Sequence, residues 1–221
     1  MLTPRLESIL GLISYKTVAD IGTDHAYIPI ELLKRARADH AIACDIRPGP
    51  LAIAEKNVKK YGLSDKIELR LGGGFAPIKS GETETAVIAG MGGEMIIKIL
   101  SEDLEKTKGF RELILQPMNC QRELRLWLFE NGFSIKKEEL EREGFKVYNL
   151  MRVCFSGETK TADELELHLP KSLYSHPLFG MLLEKKRREF TKILKGNERA
   201  GDKDYDVINK YSELLKELDK I

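Results

Sequence analysis

The chain has 221 residues, 42% hydrophobic and 32% charged, and its 36 Lys and Arg against 35 Asp and Glu leave a formal net charge of +1. That length admits one domain of about 150 residues plus an accessory piece, and the near-neutral balance excludes a polycation, so any nucleic-acid contact has to come from a local patch. Cys44, Cys120 and Cys154 are odd in number and widely spaced, which argues against a disulfide frame or a zinc site; with no signal-peptide pattern or apolar run of membrane length, the expectation is a cytoplasmic protein using neither metal nor membrane.

Thr3-Pro4 reads as a helix cap with proline in the first turn, followed by Leu6, Ile9, Leu10 and Ile13 on one face. From Thr17 the segment TVADIGTDHAYIPI combines an apolar run, a carboxylate, Gly22 and a helix-like pattern. That is a strand, a tight turn and a helix. In a parallel α/β sheet such a turn lies at the carboxyl edge, where ligands bind. Gly22 lets backbone approach a ligand closely, while Asp20 and Asp24 put negative charge where a dinucleotide-binding turn places pyrophosphate. Two acids there argue against a phosphate and suit a cofactor with a cationic end, such as S-adenosylmethionine. Ala41 to Asp45 is a second strand ending in an acid about twenty residues beyond the turn, suited to accept from both ribose hydroxyls.

Strand and helix then alternate. A helix through Ile28, Ile30, Leu32 and Leu33 runs to about Arg37 despite Pro29. Gly49-Pro50 opens another that ends near Tyr61-Gly62, and Ile67 to Leu71 is a third strand. Thr85 to Ala89, a helix from Glu94 to Leu100, Glu112 to Gln116 and a helix from Arg122 to Glu130 follow. Phe133 to Glu139 and Phe145 to Val153 read as a hairpin. The prediction is an α/β, Rossmann-like sheet of seven mostly parallel strands, with helices on both faces, over residues 1–156.

Beyond Phe155 a polar stretch at Ser156-Gly157 reads as a linker. Ser175-His176-Pro177 starts a helix carrying Phe179, Leu182, Leu183, Phe190, Ile193 and Leu194, which Gly196-Asn197 stops. A second helix from Tyr205 carries Ile208, Tyr211, Leu214, Leu215 and Leu218. Residues 157–221 are therefore expected to form an antiparallel, coiled-coil-like helical hairpin. Such a pair cannot bury both its faces, so it needs cover from the sheet domain or a partner. Lys185-Lys186-Arg187-Arg188, with Lys192 and Lys195, is the strongest basic cluster, a candidate for RNA phosphates or a solvated face.

DIGTDHAYIPI from Asp20, ACDIRPGPLAIAEKN from Ala43, IELRLGGG from Ile67, IAGMGGEMIIKIL from Ile88, LILQPM from Leu113 and LRLWLFENGF from Leu124 come in the order found in class I S-adenosylmethionine-dependent methyltransferases. Asp-His after the glycine turn, Ala-Gly-Met-Gly-Gly after the fourth strand and Gln-Pro after the fifth resemble the bacterial tRNA (adenine-N1)-methyltransferases that modify adenine 22. The resemblance covers most of residues 5–150. It implies a methyl transfer from S-adenosylmethionine to N1 of that adenine, with tRNA as partner, a helical C-terminal module, and a cofactor site drawn from Asp20, Gly22, Asp24, His25, Asp45, Ile46, Gly73, Gly74, Phe75, Gly90 and Met91. In the resembling family the third-strand loop usually reads Gly-Asp-Gly-Leu; here Gly73 stands in the acid's place, leaving loop carbonyls and Phe75 to hold the adenine.

Candidates near the reacting atoms are Asp24 and His25, with Tyr27 able to stack. His25 is equally readable as a hydrogen-bonded structural residue, because neutral N1 needs no base. Candidates facing substrate are Arg5, Gly92, Gly93, Gln116 and Pro117. The bland readings are a solvated Arg5, glycines that merely admit the next helix, and a Gln116 that closes a turn. Other readings are a methyltransferase of another substrate, or a non-catalytic module that binds RNA or a protein partner. An NAD-dependent oxidoreductase would want glycines where Asp24 and Ala26 or Tyr27 stand. A monomer is slightly favoured.

Overall fold

The computed structural model describes residues 2–200 and 202–221 and divides into two compact units, residues 1–161 and 162–221. The first begins with α1 (Pro4–Leu12), capped by Thr3, whose hydroxyl accepts from Leu6 N. It then alternates β1 (Thr17–Ile21), α2 (Tyr27–Lys34), β2 (His40–Asp45), α3 (Pro48–Lys60), β3 (Ile67–Leu71), β4 (Thr85–Met91), α4 (Gly93–Glu102), α5 (Leu104–Gly109), β5 (Glu112–Pro117) and α6 (Gln121–Glu130). The hairpin β6 (Phe133–Glu143) and β7 (Lys146–Phe155) closes it.

The seven strands form one sheet in the order β3-β2-β1-β4-β5-β7-β6. β1 to β5 are parallel, and β7 runs antiparallel to both β5 and β6, as alternating crossovers ending in a hairpin require. The strand order reverses beside β1, because β2 lies on one side of it and β4 on the other. A crevice therefore opens at the carboxyl ends of β1 and β4.

Strand periodicity sorts side chains onto two faces. Ala19, Ile21, Ala86, Ile88, Leu113 and Leu115 face α4 and α6 through Ile96, Leu100, Leu124 and Leu128. Val18, Val87 and Ile114 face α1 and α2 through Ile9, Leu10, Ile28 and Leu32. α3 covers β2 and β3 with Ala54 and Val58. A buried ion pair ties α6 to the hairpin: Arg125 Nη2 lies 2.6 Å from Glu138 Oε1, with side chains 1% and 2% exposed.

Several boundaries differ from the sequence expectation for local reasons. Pro29 is the third residue of α2, where its missing N–H has no intrahelical acceptor to lose. The short α5 escapes a periodicity search because six residues contain less than two full turns. Residues past Phe155 stay on the first unit: Ser156 N and Gly157 N donate to Gly132 O, and Lys160 N to Phe129 O.

The second unit holds α7 (Glu164–His168), a 3-10 turn (Lys171–Leu173), α8 (Phe179–Glu198) and α9 (Tyr205–Leu218). α8 and α9 are antiparallel, with Arg187 paired to Asp219 at one end and Phe190 against Tyr211 further along. Gly196 and Asn197 do not stop α8. An exposed helix tolerates a glycine for about 1 kcal/mol, and Asn197 Oδ1 instead accepts from Asp204 N to fasten the connecting turn. The hairpin finds apolar cover within its own unit. Leu167, Leu169 and Leu173 are buried, His168 packs edge-on to Phe190, and Lys210 of α9 reaches Glu164 at 2.7 Å. Among the described residues no helix is long and apolar enough to cross a membrane, and no cluster of metal-ligating side chains occurs.

Candidate cofactor and substrate site

The crevice beside β1 is a cleft of about 620 Å³, whose walls include Gly22, Asp24, Asp45, Ile46, Gly73 and Gly90. Its floor is the turn after β1. Gly22 has a φ of +74°, and Asp24 and Ala26 are also left-handed at 53° and 57°. Gly22 N and Thr23 N both donate to Cys44 O at 2.8 Å, so the turn is pinned to the end of β2 and Asp24 is delivered to the cleft with its side chain 56% exposed.

The acids divide the work. Asp45 is 4% exposed; its Oδ1 accepts from Arg47 N at 2.8 Å and its Oδ2 from Asp24 N at 3.3 Å. These bonds fix the carboxylate's orientation at the wall. Asp20 lies beneath the floor and outside the lining, accepting from Thr23 Oγ1 at 2.6 Å. Burial pushes its carboxyl up to about 6, with nearby Asp45 adding to the rise and the Thr23 hydrogen bond opposing it. Asp20 thus shapes the turn.

Across the cleft, Gly72, Gly73 and Gly74 follow β3, and Ala89, Gly90 and Met91 end β4. A Cβ on Gly22 would meet Met91 Cε at 2.3 Å, and one on Gly73 would meet Ile46 Cδ1 at 3.1 Å. Phe75 corrects the expectation of a contact to adenine. It is 3% exposed, packs against Phe110 at 4.9 Å and belongs to the core, because the loop turns its ring inward under α4.

His25 and Tyr27 do not line the cleft. Their rings stack at 5.1 Å, and His25 Nδ1 lies 2.7 Å from Asp24 Oδ2, an arrangement that orients the Asp24 carboxylate. Asn57 of α3, unnoticed in the sequence, donates to His25 O at 3.0 Å.

Of the residues expected to face substrate, Arg5 alone lines the cleft. Its Nη1 donates to Gln116 Oε1 at 2.7 Å, its Nε lies 3.7 Å from Glu143, and its guanidinium sits over the Tyr148 ring. Gln116 is wholly buried and cannot present its amide to a base: Oε1 also accepts from Gly90 N at 3.0 Å, and Nε2 donates to Pro117 O. It is a brace between Arg5 and the β4 turn. Pro117 is buried in β5. Gly92 and Gly93 serve packing. A Cβ on Gly93 would meet Cys120 O at 2.5 Å, and one on Gly92 would meet Asn119 Oδ1 at 2.9 Å. Arg47, just before α3, and Met95, Lys98, Ile99 and Glu102 of α4 also line the cleft; nothing in their local sequence sets them apart.

In the second unit the basic cluster separates by helix face. Lys186 is 6% exposed and bonded to Glu189 at 2.8 Å, so its expected phosphate contact is corrected: it lies on the buried stripe with Leu182 and Phe190. Lys185 is partly buried, and desolvation lowers its pKa. Arg187, Arg188, Lys192, Lys195 and Arg199 line a shallow surface groove along α8.

Comparison with known proteins agrees with this architecture. Residues 2–151 match the family model described as "Methyltransferase domain". The tRNA (adenine(22)-N(1))-methyltransferase of Bacillus subtilis (strain 168) is 38% identical over 162 residues, covering 73% of this chain and 68% of that protein. The crystal structure of the B. subtilis M1A22 tRNA methyltransferase TrmK superposes with a TM-score of 0.87 at 28% identity, covering 99% of this chain and 98% of that one. M. capricolum TrmK in complex with S-adenosyl-homocysteine superposes at 0.84 with 31% identity and the same coverage. With its switch-point cleft, its acid-ended β2 and these relatives, the chain belongs to the methyltransferase-domain family and, within it, to the tRNA (adenine(22)-N(1))-methyltransferases.

Proposed function

We propose that the cleft binds S-adenosylmethionine and that the protein methylates N1 of adenine 22 in tRNA. The observation that carries this reading is the gathering of Asp24, Asp45 and the glycine turns at Gly22, Gly73 and Gly90 around one cleft at the β1/β4 crevice. The donor set fits the cofactor. Asp45, held by two backbone N–H groups, accepts from a ribose diol. Asp24 sets negative charge toward an ammonium or sulfonium, and Ile46 offers an apolar face to a purine.

When bound, the cofactor supplies a methyl group on a sulfonium, open to attack by a neutral ring nitrogen through its own lone pair. No residue has to remove a proton from N1. The chain's contribution is positioning and electrostatics. Gly90 and Met91 shape the mouth where the base enters, and Asp24 balances the positive charge that the methylated base acquires. Arg5, braced by Gln116, turns its guanidinium into the same cleft and suits an anionic group of the substrate.

N1 lies on the Watson–Crick edge, so the base has to leave any stack or pair, at a cost of a few kcal/mol. Contacts away from the cleft supply that energy. The α8 face of Arg188, Lys192, Lys195 and Arg199 suits RNA phosphates. A tRNA substrate fits a cytoplasmic protein.

The test is incubation of the full chain with methyl-labelled S-adenosylmethionine and unmodified bacterial tRNA, followed by nucleoside analysis. Labelled 1-methyladenosine, absent with Asp45→Ala protein that still folds, is expected. No transfer to any tRNA, with cofactor binding intact by calorimetry, would refute the RNA assignment.

A further inference from the structure

The wall that follows β3 carries no functional side chain, since Gly72, Gly73 and Gly74 stand together there. A carboxylate reaches it from elsewhere in the chain. Glu102 is the last residue of α4 and lines the same cleft. Its Oε1 lies 3.8 Å from Lys98 Nζ, while its Oε2 is turned to the loop, 3.5 Å from where a Cβ on Gly74 would sit. An acid at a helix C-terminus opposes the helix dipole, and the i,i+4 pair with Lys98 offsets part of that. The Glu102 side chain is 57% exposed, which leaves the carboxylate open to a ligand in the cleft.

The order of groups along the cleft says what the task is. Gly72 N donates to Asp45 O at 3.0 Å, so the diol acceptor and the glycine loop adjoin. Beyond Asp45, Ile46 packs on Gly73 and Ile99 on Gly74, and together they give the cleft an apolar wall on which a flat ring can lie. Glu102 lines the cleft beside this wall, next to Gly74, with acceptor oxygens only. We propose that Glu102 accepts a hydrogen bond from the exocyclic amine of the cofactor's adenine, the role open to a side chain at position 73 if that position carried an acid. The inference rests on the cofactor reading above.

Calorimetry on the full chain tests it with two ligands: S-adenosylhomocysteine and its inosine counterpart, which carries a keto oxygen in place of the amine. Glu102→Ala is expected to weaken S-adenosylhomocysteine about tenfold while leaving the inosine ligand's affinity unchanged or improved. Gly73 lacks a left-handed φ, so Gly73→Asp in the Glu102→Ala background is expected to recover at least half of the lost free energy once Ile46 shifts slightly. Unchanged affinity in Glu102→Ala, equal weakening of both ligands, or no recovery with Gly73→Asp would each overturn the assignment. Failure of the unsubstituted protein to bind S-adenosylhomocysteine would instead refute the cofactor reading, and this inference with it.

Discussion

The terminal methyl of Met91 fills the space in which a Cβ on Gly22 would stand, 2.3 Å from the built position. The turn after β1 and the turn after β4 thus interlock across the crevice, with the absent side chain of one receiving the end of the other. Gly22 also holds a φ of +74°, which an L side chain adopts only at a cost of about 1–2 kcal/mol. Both constraints act on the same atom. Gly22→Ala is expected to displace Met91 into the cleft and weaken S-adenosylhomocysteine at least tenfold by calorimetry. Adding Met91→Ala should recover part of the loss, since the Met91 end is flexible but the backbone strain stays.

Asp20 links the site to pH. Its carboxyl is pushed up to about 6 by burial, above an unfolded value of about 3.9. The folded chain therefore holds a proton that the unfolded chain has released between these values, and this residue's contribution to stability falls as pH rises from about 4 to 6 and then levels off. Asp20→Asn is expected to stabilise the protein above pH 6 by at most about 3 kcal/mol and to change little near pH 4. Urea denaturation at both pH values measures it. A variant equally shifted at the two would show that Asp20 is ionised throughout.

Gln116 braces Arg5 and Gly90 through one oxygen. Gln116→Leu keeps the volume but leaves the Gly90 N–H and the Arg5 guanidinium without that acceptor, at an expected cost of about 1–3 kcal/mol. Methyl transfer should fall more than cofactor binding does. A double-mutant cycle with Arg5→Met is expected to show coupling of at least about 0.5 kcal/mol; additive losses would mean the two act separately.

On α8 the faces of the helix predict opposite phenotypes. Arg188→Ala, Lys192→Ala and Lys195→Ala should each lower the slope of log affinity for tRNA against log salt by about 1. Lys186→Met, at a buried position, should leave that slope unchanged and alter thermal stability instead. An equal loss of slope in Lys186→Met would contradict its burial.

Local chemistry determined much of this protein from the sequence alone. Short apolar runs set off by turn residues, alternating only in β3, marked all seven strands, and a carboxylate at the end of β2 with Asp24 after Gly22 marked the cleft, because strand propensity and turn conformation depend on neighbours a few residues apart. The helices over residues 164–168 and 104–109 escaped notice because elements of one or two turns show no periodicity. Tertiary structure alone decided which way the ambiguous side chains turn. Phe75 goes to the core because Phe110 meets it there, and Gln116 is buried because Arg5 arrives from the first helix. Glu102 enters the cleft because α4 ends beside the glycine loop. These partners lie tens of residues away in the chain, and only folding brings together the groups that select one face of a loop or helix over the other.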